Sequence, residues 1–432
     1  MGFGIEARTP ASKNIIYFHY VVEIPRRQTI RKGTDMNVQD IKKAADELKD
    51  DLIGFCRELI QTPSMPGQEE AAAKLTVRKM EALGYDEAYT DGVGNAIGVI
   101  KGEDPDAPVY MLNSHLDHVD PGNRSEWKHD PYSGDIEDRK IYGRGASDTK
   151  GAFAVQVYAP EVLRRLGIKP KGDVYVTGVV LEEVGGFGTR YILENMDTKP
   201  DCVILGEATE NHIKLGHRGG IRYKATFYGK SVHASAPQRG INPHYAAARF
   251  LLKLEEMLPG LKTDPDLGQT TVAPTVYHTG VSSNNVIPGE VDIILDMRSA
   301  GETAEEVMDI YRNIADQVCP KDVKTEFQLV KRTLKSYTGL DDPFHGGLVG
   351  GFKLEKDSPF VQKAASVIQG TLGYSPNLVY WQFGTDGRFT AAAGIPTYGF
   401  SPCEEYLAHT ADDHVKIDMM MDSLYCYPQI LL

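Results

Sequence analysis

The chain has 432 residues, 41% of them hydrophobic and 25% charged, with a formal net charge of −13. That length exceeds one ordinary hydrophobic core and predicts two domains. The acidic balance argues against nucleic acid as a partner, because a phosphate backbone calls for a basic surface.

No apolar run approaches the ~20 residues needed to cross a bilayer, so no membrane span is expected. Five scattered cysteines (Cys56, Cys202, Cys319, Cys403 and Cys426) contain no CxxC pair. They fit the reduced thiols of a cytoplasmic protein better than a disulfide framework. Residues 1–35 carry Arg26-Arg27 and Arg31-Lys32 but neither a secretory apolar core nor a helical period. They are expected to be an over-long reading or a disordered arm, with Met36 as the natural start; the alternative is an extension packed on the surface. From Asn37 onward, Ile41, Ala44, Leu48, Leu52, Ile53 and Leu59 keep the spacing of an amphipathic helix. Residues 69–83 predict a further helix, stopped by Gly84. Short apolar runs at 96–100 and 109–112 read as strands. Residues 152–166 are helical, with Pro160 expected to kink or interrupt the helix. Runs at 174–181 and 202–205 are again strands, and the alternation predicts a mostly parallel sheet covered by helices, an α/β architecture.

The pattern changes after Gly216-His217-Arg218-Gly219-Gly220. A strand at 222–228 is followed by a helix at 244–257, strands at 271–277 and 291–297, a helix at 304–318 and a strand at 324–330. This β-α-β-β-α-β order suits a small sheet with helices on one face, an inserted α+β (ferredoxin-like) domain over 222–331. The α/β catalytic domain is then split into 36–221 and 332–432, the second part carrying a helix at 358–372 and a strand at 396–400.

Groups able to do chemistry gather where the predicted strands end. His115 and Asp117 follow the strand at 109–112; the imidazole can bind a metal while Asp117 accepts the proton on its other nitrogen. Such a pair alone is as often structural as functional. Asp148 lies in the glycine-rich loop 142–151, Glu182 and Glu183 end the run 174–181, Glu207 ends the next, and His409 follows 396–400. A parallel sheet sends strand ends to one crevice. Carboxylates collected there repel one another unless a cation neutralises them. Two His and several Asp/Glu suit Zn²⁺ or a neighbouring first-row ion such as Co²⁺ or Mn²⁺.

Several motifs carry a family resemblance. Ser114-His115-Leu116-Asp117, Trp127-x-x-Asp130-Pro131-Tyr132-x-Gly134, Tyr142-Gly143-Arg144-Gly145-x-x-Asp148-x-Lys150-Gly151, Glu182-Glu183-Val184-Gly185-Gly186, Gly206-Glu207 and His409 stand in the order of the M20 metallopeptidase and deacylase family. Gly229-Lys230-Ser231-Val232-His233-Ala234, Asn284-Asn285-Val286-Ile287-Pro288 and Asp296-Met297-Arg298 resemble its lid domain. The resemblance runs from Met36 to the C-terminus. It extends to the acetylornithine deacetylase/succinyl-diaminopimelate desuccinylase group. Arg332-Thr333-Leu334-Lys335-Ser336-Tyr337-Thr338-Gly339 and Trp381-Gln382-Phe383-Gly384-Thr385-Asp386-Gly387 resemble most a branch of hydrolases linked to selenium metabolism.

The resemblance implies two divalent metal ions, with Zn²⁺ expected and Co²⁺ or Mn²⁺ as alternatives. Asp148 would bridge them, His115 and Glu207 completing one site and Glu183 and His409 the other. Asp117 would support His115, and Glu182 would be the general base, taking a proton from metal-activated water and passing it to the leaving amine. His233 on the lid would contact the developing oxyanion, in some relatives from the partner subunit of a lid-mediated homodimer. Asn285, Arg298 and Gly384 would contact the substrate. The expected activity is hydrolysis of an amide in an N-acyl amino acid or short peptide. Alternatives are a dipeptidase or aminopeptidase of the same family, or a non-catalytic metal-binding protein, which would have no need of Glu182. His118 is a ligand by type, but the pattern uses His115 in its place; His129, His212, His217 and His414 are read as polar or surface histidines, and Glu404-Glu405 as a solvated acidic loop. Ala411-Asp412-Asp413 after His409, together with Asp386 and Arg388, depart from the family pattern.

Overall fold

The computed structural model describes residues 37–343 and 348–432. The expectation for residues 1–35 lies outside them. Helices α1 (Val38–Asp46) and α2 (Lys49–Ile60) replace the single helix expected from the apolar spacing. Asn37 caps α1 by accepting from the Gln39 amide, and the chain breaks at Glu47-Leu48. The break keeps both apolar stripes, Ile41/Ala44/Ala45 and Leu52/Phe55/Leu59, on the core side. Next come α3 (Glu70–Ala82), β1 (Glu87–Thr90), β2 (Ala96–Ile100), β3 (Tyr110–His115), α4 (Gly151–Arg165), β4 (Val174–Val179), α5 (Phe187–Asn195), β5 (Cys202–Leu205) and β6 (Ile213–His217). One residue later the chain enters a different sheet through β7 (Gly219–Tyr228), α6 (Pro243–Met257), β8 (Thr271–His278), β9 (Glu290–Ser299), α7 (Ala304–Val318) and β10 (Lys324–Leu329). It returns with β11 (Phe352–Lys353), α8 (Pro359–Leu372), β12 (Leu378–Trp381), α9 (Gly387–Ala392), β13 (Thr397–Gly399) and α10 (Ile417–Ile430).

The main sheet has the order β1-β2-β4-β3-β5-β13-β6-β11, with β12 also paired to β6. Its centre, β4-β3-β5-β13, is parallel, and the flanking pairings are antiparallel apart from β12 with β6, which is parallel. Alternation along β3 and β5 supplies two faces. Tyr110, Leu112, Cys202 and Ile204 pack in the core that includes α4 and α10, while Met111, Val203 and Leu205 pack with Ile192 of α5 and Ala391 of α9. Helix α4 runs through Pro160 without the expected interruption. A proline there removes one internal hydrogen bond, and the helix is buried from Gly151 to Leu163, so packing keeps it continuous.

The second sheet has the order β8-β9-β7-β10, all antiparallel, with Leu348–Val349 added beside β7. In chain order these strands are second, third, first and fourth, the ferredoxin-like arrangement, and α6 and α7 share a core with them. No helix among the described residues is long and apolar enough to cross a membrane.

Close packing of α4 on the centre of the main sheet depends on Gly178 in β4. A Cβ there would stand 2.6 Å from Phe153 Cζ and 2.8 Å from Leu116 Cδ2, beside His115. We therefore expect Gly178→Ala to destabilise the protein by about 1–3 kcal/mol through overpacking. A urea titration followed by circular dichroism checks this; an unchanged midpoint would show that α4 gives way without cost.

Candidate metal centre and active site

Three parallel strands deliver the first groups. His115 is the last residue of β3, Glu207 stands two residues beyond β5, and the chain after β4 turns at Leu181, with φ of 60°, into Glu182-Glu183. Asp148 lies in the turn before α4, and His409 in the loop before α10. These five segments meet. His115 Nε2 is 2.9 Å from Asp148 Oδ1 and 4.0 Å from Glu207 Oε1. His409 Nε2 is 3.2 Å from Asp148 Oδ2 and 3.2 Å from Glu183 Oε2. Asp148 thus presents one carboxylate oxygen to each imidazole. Donor atoms of His115, Glu182 and Glu207 lie within 4.8 Å of one another, as do those of His115, Asp148 and Glu183.

A second layer of buried carboxylates fixes the backbone beneath this cluster. Asp117 differs from its expected role. The nearest acceptor for His115 Nδ1 is the Asp117 backbone carbonyl at 2.8 Å, and the Asp117 carboxylate is farther, at 3.7 Å. That carboxylate accepts instead from the amides of Glu182 at 3.2 Å and Glu183 at 3.1 Å. Glu69 accepts from the Leu181 amide at 3.2 Å, so two buried carboxylates hold three consecutive amides. Sequence reasoning took Glu69 only as the start of a helix. Asp413, read as a departure from the family pattern, is fully buried and accepts from Gly145 N at 2.7 Å and Ser147 N at 2.8 Å. It clamps the loop that carries Asp148. Arg388 is also buried, with Nη1 3.9 Å from Glu182 Oε1 and Nη2 3.5 Å from Asp386 Oδ1.

The electrostatics follow from four largely buried carboxylates facing two imidazoles, His115 buried and His409 half exposed at the rim. Burial, then the charges of Asp386 and Glu207, push Glu182 well above the usual carboxylate range. Burial raises Glu207 and Asp117 each to about 8. Hydrogen bonds to Asp148 and Glu183 raise His409 to about 10. Burial disfavours charge on His115, but its hydrogen bond to Asp148 and the surrounding carboxylates outweigh it and leave that imidazole well above its ordinary value. Burial likewise opposes ionisation of Asp148, yet its hydrogen bonds to His115 and His409 hold it far below the carboxylate range. Surplus negative charge is therefore stored as extra protons, which divalent cations would replace. The donor set of imidazole and carboxylate fits such ions.

The cluster forms one side of a cleft of about 440 Å³, whose lining also includes Arg222, Asp296, Arg298, Arg332, Gly384 and Arg388. Arg298 and Gly384 are thus brought to the site. His233 and Asn285 are not among its lining residues. They are exposed on the second sheet's side, His233 Nδ1 lying 2.7 Å from Ser235 Oγ and its Nε2 3.4 Å from Asn285 Nδ2. His118 is a buried structural histidine, its Nε2 accepting from the Ser64 amide. His217 and His414 are core residues rather than surface ones; His217 Nε2 accepts from Thr385 N at 2.9 Å, and His414 Nδ1 donates to the Asp412 carbonyl. Glu404 is buried against Lys416, and Glu405 pairs with Lys214, so the expected solvated acidic loop is an ion-paired one.

Residues 111–432 match peptidase family M20/M25/M40. The chain belongs to that family. Among its relatives, the uncharacterized protein YgeY of Escherichia coli (strain K12) is 30% identical over 376 residues, covering 86% of this chain and 92% of that one. Succinyl-diaminopimelate desuccinylase of Alkalilimnicola ehrlichii is 27% identical, covering 83% and 92%. The fold is similar to that of Bacillus subtilis YXEP, described as a dinuclear metal-binding peptidase of family M20, with a TM-score of 0.65, 17% identity and coverage of 89% and 98%. This M20 chain is a metallohydrolase.

The raised groups predict how the metal-free protein responds to pH. Asp117, Glu207 and His409 bind more protons folded than unfolded, so their stabilisation is present below their unfolded values and lost as pH rises through the folded ones, about 8 for the acids and about 10 for His409. Metal-free protein should therefore melt at a lower temperature near about pH 9 than near about pH 6, with the slope flattened by added Zn²⁺. Thermal melts with and without chelator check this; a metal-free protein that gains stability over that interval would contradict it.

Proposed function

We propose that this M20 enzyme cleaves the amide bond of an N-acyl amino acid or short peptide at a two-metal centre. The observation that carries the reading is Asp148, each of whose oxygens faces a different imidazole within a donor cluster of two His and four carboxylates. His115 and Glu207 would hold one ion, Glu183 and His409 the other, and Asp148 both. When bound, such ions supply Lewis acidity that polarises the scissile carbonyl and makes water acidic enough to attack near neutral pH.

Glu182 is the general base. Its amide is pinned by Asp117 and its carboxylate faces Arg388 on the side of Asp386. It takes the proton of the attacking water at a carboxylate oxygen and delivers it to the leaving nitrogen. Its closeness to His115 and Glu207 would also suit a metal ligand, so the test must separate the two roles. Glu182→Gln should keep both ions by elemental analysis and lose turnover of N-acyl amino acids or dipeptides by ~10²–10⁴-fold. Loss of an ion would make Glu182 a ligand, and full activity in a metal-replete variant would remove the base.

The second sheet is proposed as a lid that also joins two subunits. Its edge strand β8 is exposed from Ala273 to His278, and beside it Tyr245 is 65% and Leu252 63% exposed on α6. An unpaired strand edge with apolar neighbours favours pairing with a second copy. That arrangement would let His233 of one subunit reach the cleft of the other as an oxyanion donor. His233→Ala should then retain metal and lower kcat by ~10²–10³-fold. Mixing Glu182→Gln with His233→Ala subunits should restore part of the activity, because a mixed dimer assembles one intact site. No rescue after verified subunit exchange would place the donor within one chain. Five free cysteines favour a reducing, cytoplasmic setting.

A further inference from the structure

The lid wall of the cleft carries more positive charge than one substrate carboxylate requires. Along β9, Val291, Ile293, Leu295 and Met297 are buried, so Asp296 and Arg298 share the opposite face. Arg222 of β7 stands directly across from Asp296 in the strand register. Asp296 accepts from Arg222 Nε at 2.6 Å and from Arg298 Nε at 2.8 Å. A single carboxylate therefore holds two guanidinium groups side-on, each through Nε. Their terminal Nη groups, the pair that normally grips a carboxylate, make no hydrogen bond with the described residues. Arg332, just beyond β10, is exposed and lines the same cleft without an ion pair among the described residues.

Three guanidinium groups against the one carboxylate of Asp296 leave this wall with two uncompensated positive charges. Among the described lining residues no further carboxylate cancels them: Glu405 is paired with Lys214, and Asp148, Glu182, Glu183 and Glu207 belong to the donor cluster. The crowding extends to Arg218, whose pKa is lowered by burial and then by the charge of Arg298.

We propose that Arg222, Arg298 and Arg332 form an anion subsite for a pair of carboxylates, making the preferred substrate a dianion that bears two carboxylates besides its scissile amide. The assignment rests on the hydrolase reading of the same cleft. One carboxylate would lie against Arg298 and the second between Arg222 and Arg332, with Asp296 keeping the guanidinium planes oriented. The second carboxylate can sit on the acyl side or on the amino-acid side of the amide, and both chemistries share this recognition.

Binding tests the subsite separately from turnover. Succinate and acetate are titrated calorimetrically into the Zn²⁺-loaded protein, acetate reporting what a single carboxylate gains in the cleft. Succinate should bind at least about 10-fold more tightly, the scale of one charge-assisted contact. Arg222→Ala and Arg332→Ala should each remove most of that advantage and leave acetate binding as it was, while Arg222→Lys keeps part of it. Metal content and circular dichroism confirm that each variant is folded and loaded. Equal binding of succinate and acetate, or an undiminished advantage in both alanine variants, would overturn the subsite. In turnover, kcat/KM for N-succinyl-L-alanine or N-acetyl-L-glutamate should exceed that for N-acetyl-L-alanine by about 10–100-fold, and which of the two leads tells the side of the second carboxylate. A wild-type enzyme that treats all three alike would also overturn it. If none is hydrolysed while the succinate advantage holds and falls with the arginines, the subsite stands and the hydrolase reading fails.

Discussion

The contact of Asp148 with both His115 and His409 is the constraint around which the catalytic half is arranged. A carboxylate can face two imidazoles only if three distant segments converge: the end of β3, the turn before α4 and the loop before α10. The parallel order β4-β3-β5 brings Glu182, Glu183 and Glu207 to the same edge, because parallel strands end on one side. Uncompensated, such a cluster is costly, since buried like charges raise each other's pKa. The raised pKa of Glu182 and of Glu207 registers that cost.

Beneath the donors lies a set of carboxylates that never face the cleft as ligands. Glu69 and Asp117 hold the amides of Leu181, Glu182 and Glu183, and Asp413 holds those of Gly145 and Ser147. Loops bearing clustered carboxylates would otherwise be free to spread under their repulsion. Fixing backbone rather than side chains lets the adjacent carboxylates of Glu182 and Glu183 face different neighbours, Arg388 and His409, without moving apart. Burial of Arg388 against Glu182 and Asp386 closes the same region from the other side.

Opposite this acidic floor, the second sheet contributes a basic wall. Its side chains alternate as in any half-exposed sheet, with the inner set packed against α6 and α7 and Arg222, Asp296 and Arg298 of the outer set lining the cleft. Asp296 at the centre of that outer set ties neighbouring strands together and orients Arg222 and Arg298 at the same time. The cleft is thus bipolar, lined by clustered imidazole and carboxylate groups and by the guanidinium groups of Arg222, Arg298 and Arg332.

Local pattern determined much of the architecture. Apolar runs placed β2 and β5, helical spacing placed α7, and the residues following the parallel strands named the donors that the structure brings together. These were legible because periodicity and strand ends are properties of consecutive residues. Other features depend on segments far apart in the chain. The break between α1 and α2 and the continuity of α4 through Pro160 follow from packing rather than propensity. Burial turned His217, His414 and Glu404 from surface residues into structural ones. The Asp117 carboxylate serves two amides sixty-five and sixty-six positions away instead of its neighbour's ring. Pairing of Arg222 with Asp296 spans seventy-four positions and exists only because β7 and β9 are in register. A sequence states which groups are available; the partners of a buried charge are chosen by whatever the fold leaves within hydrogen-bonding reach once water is excluded.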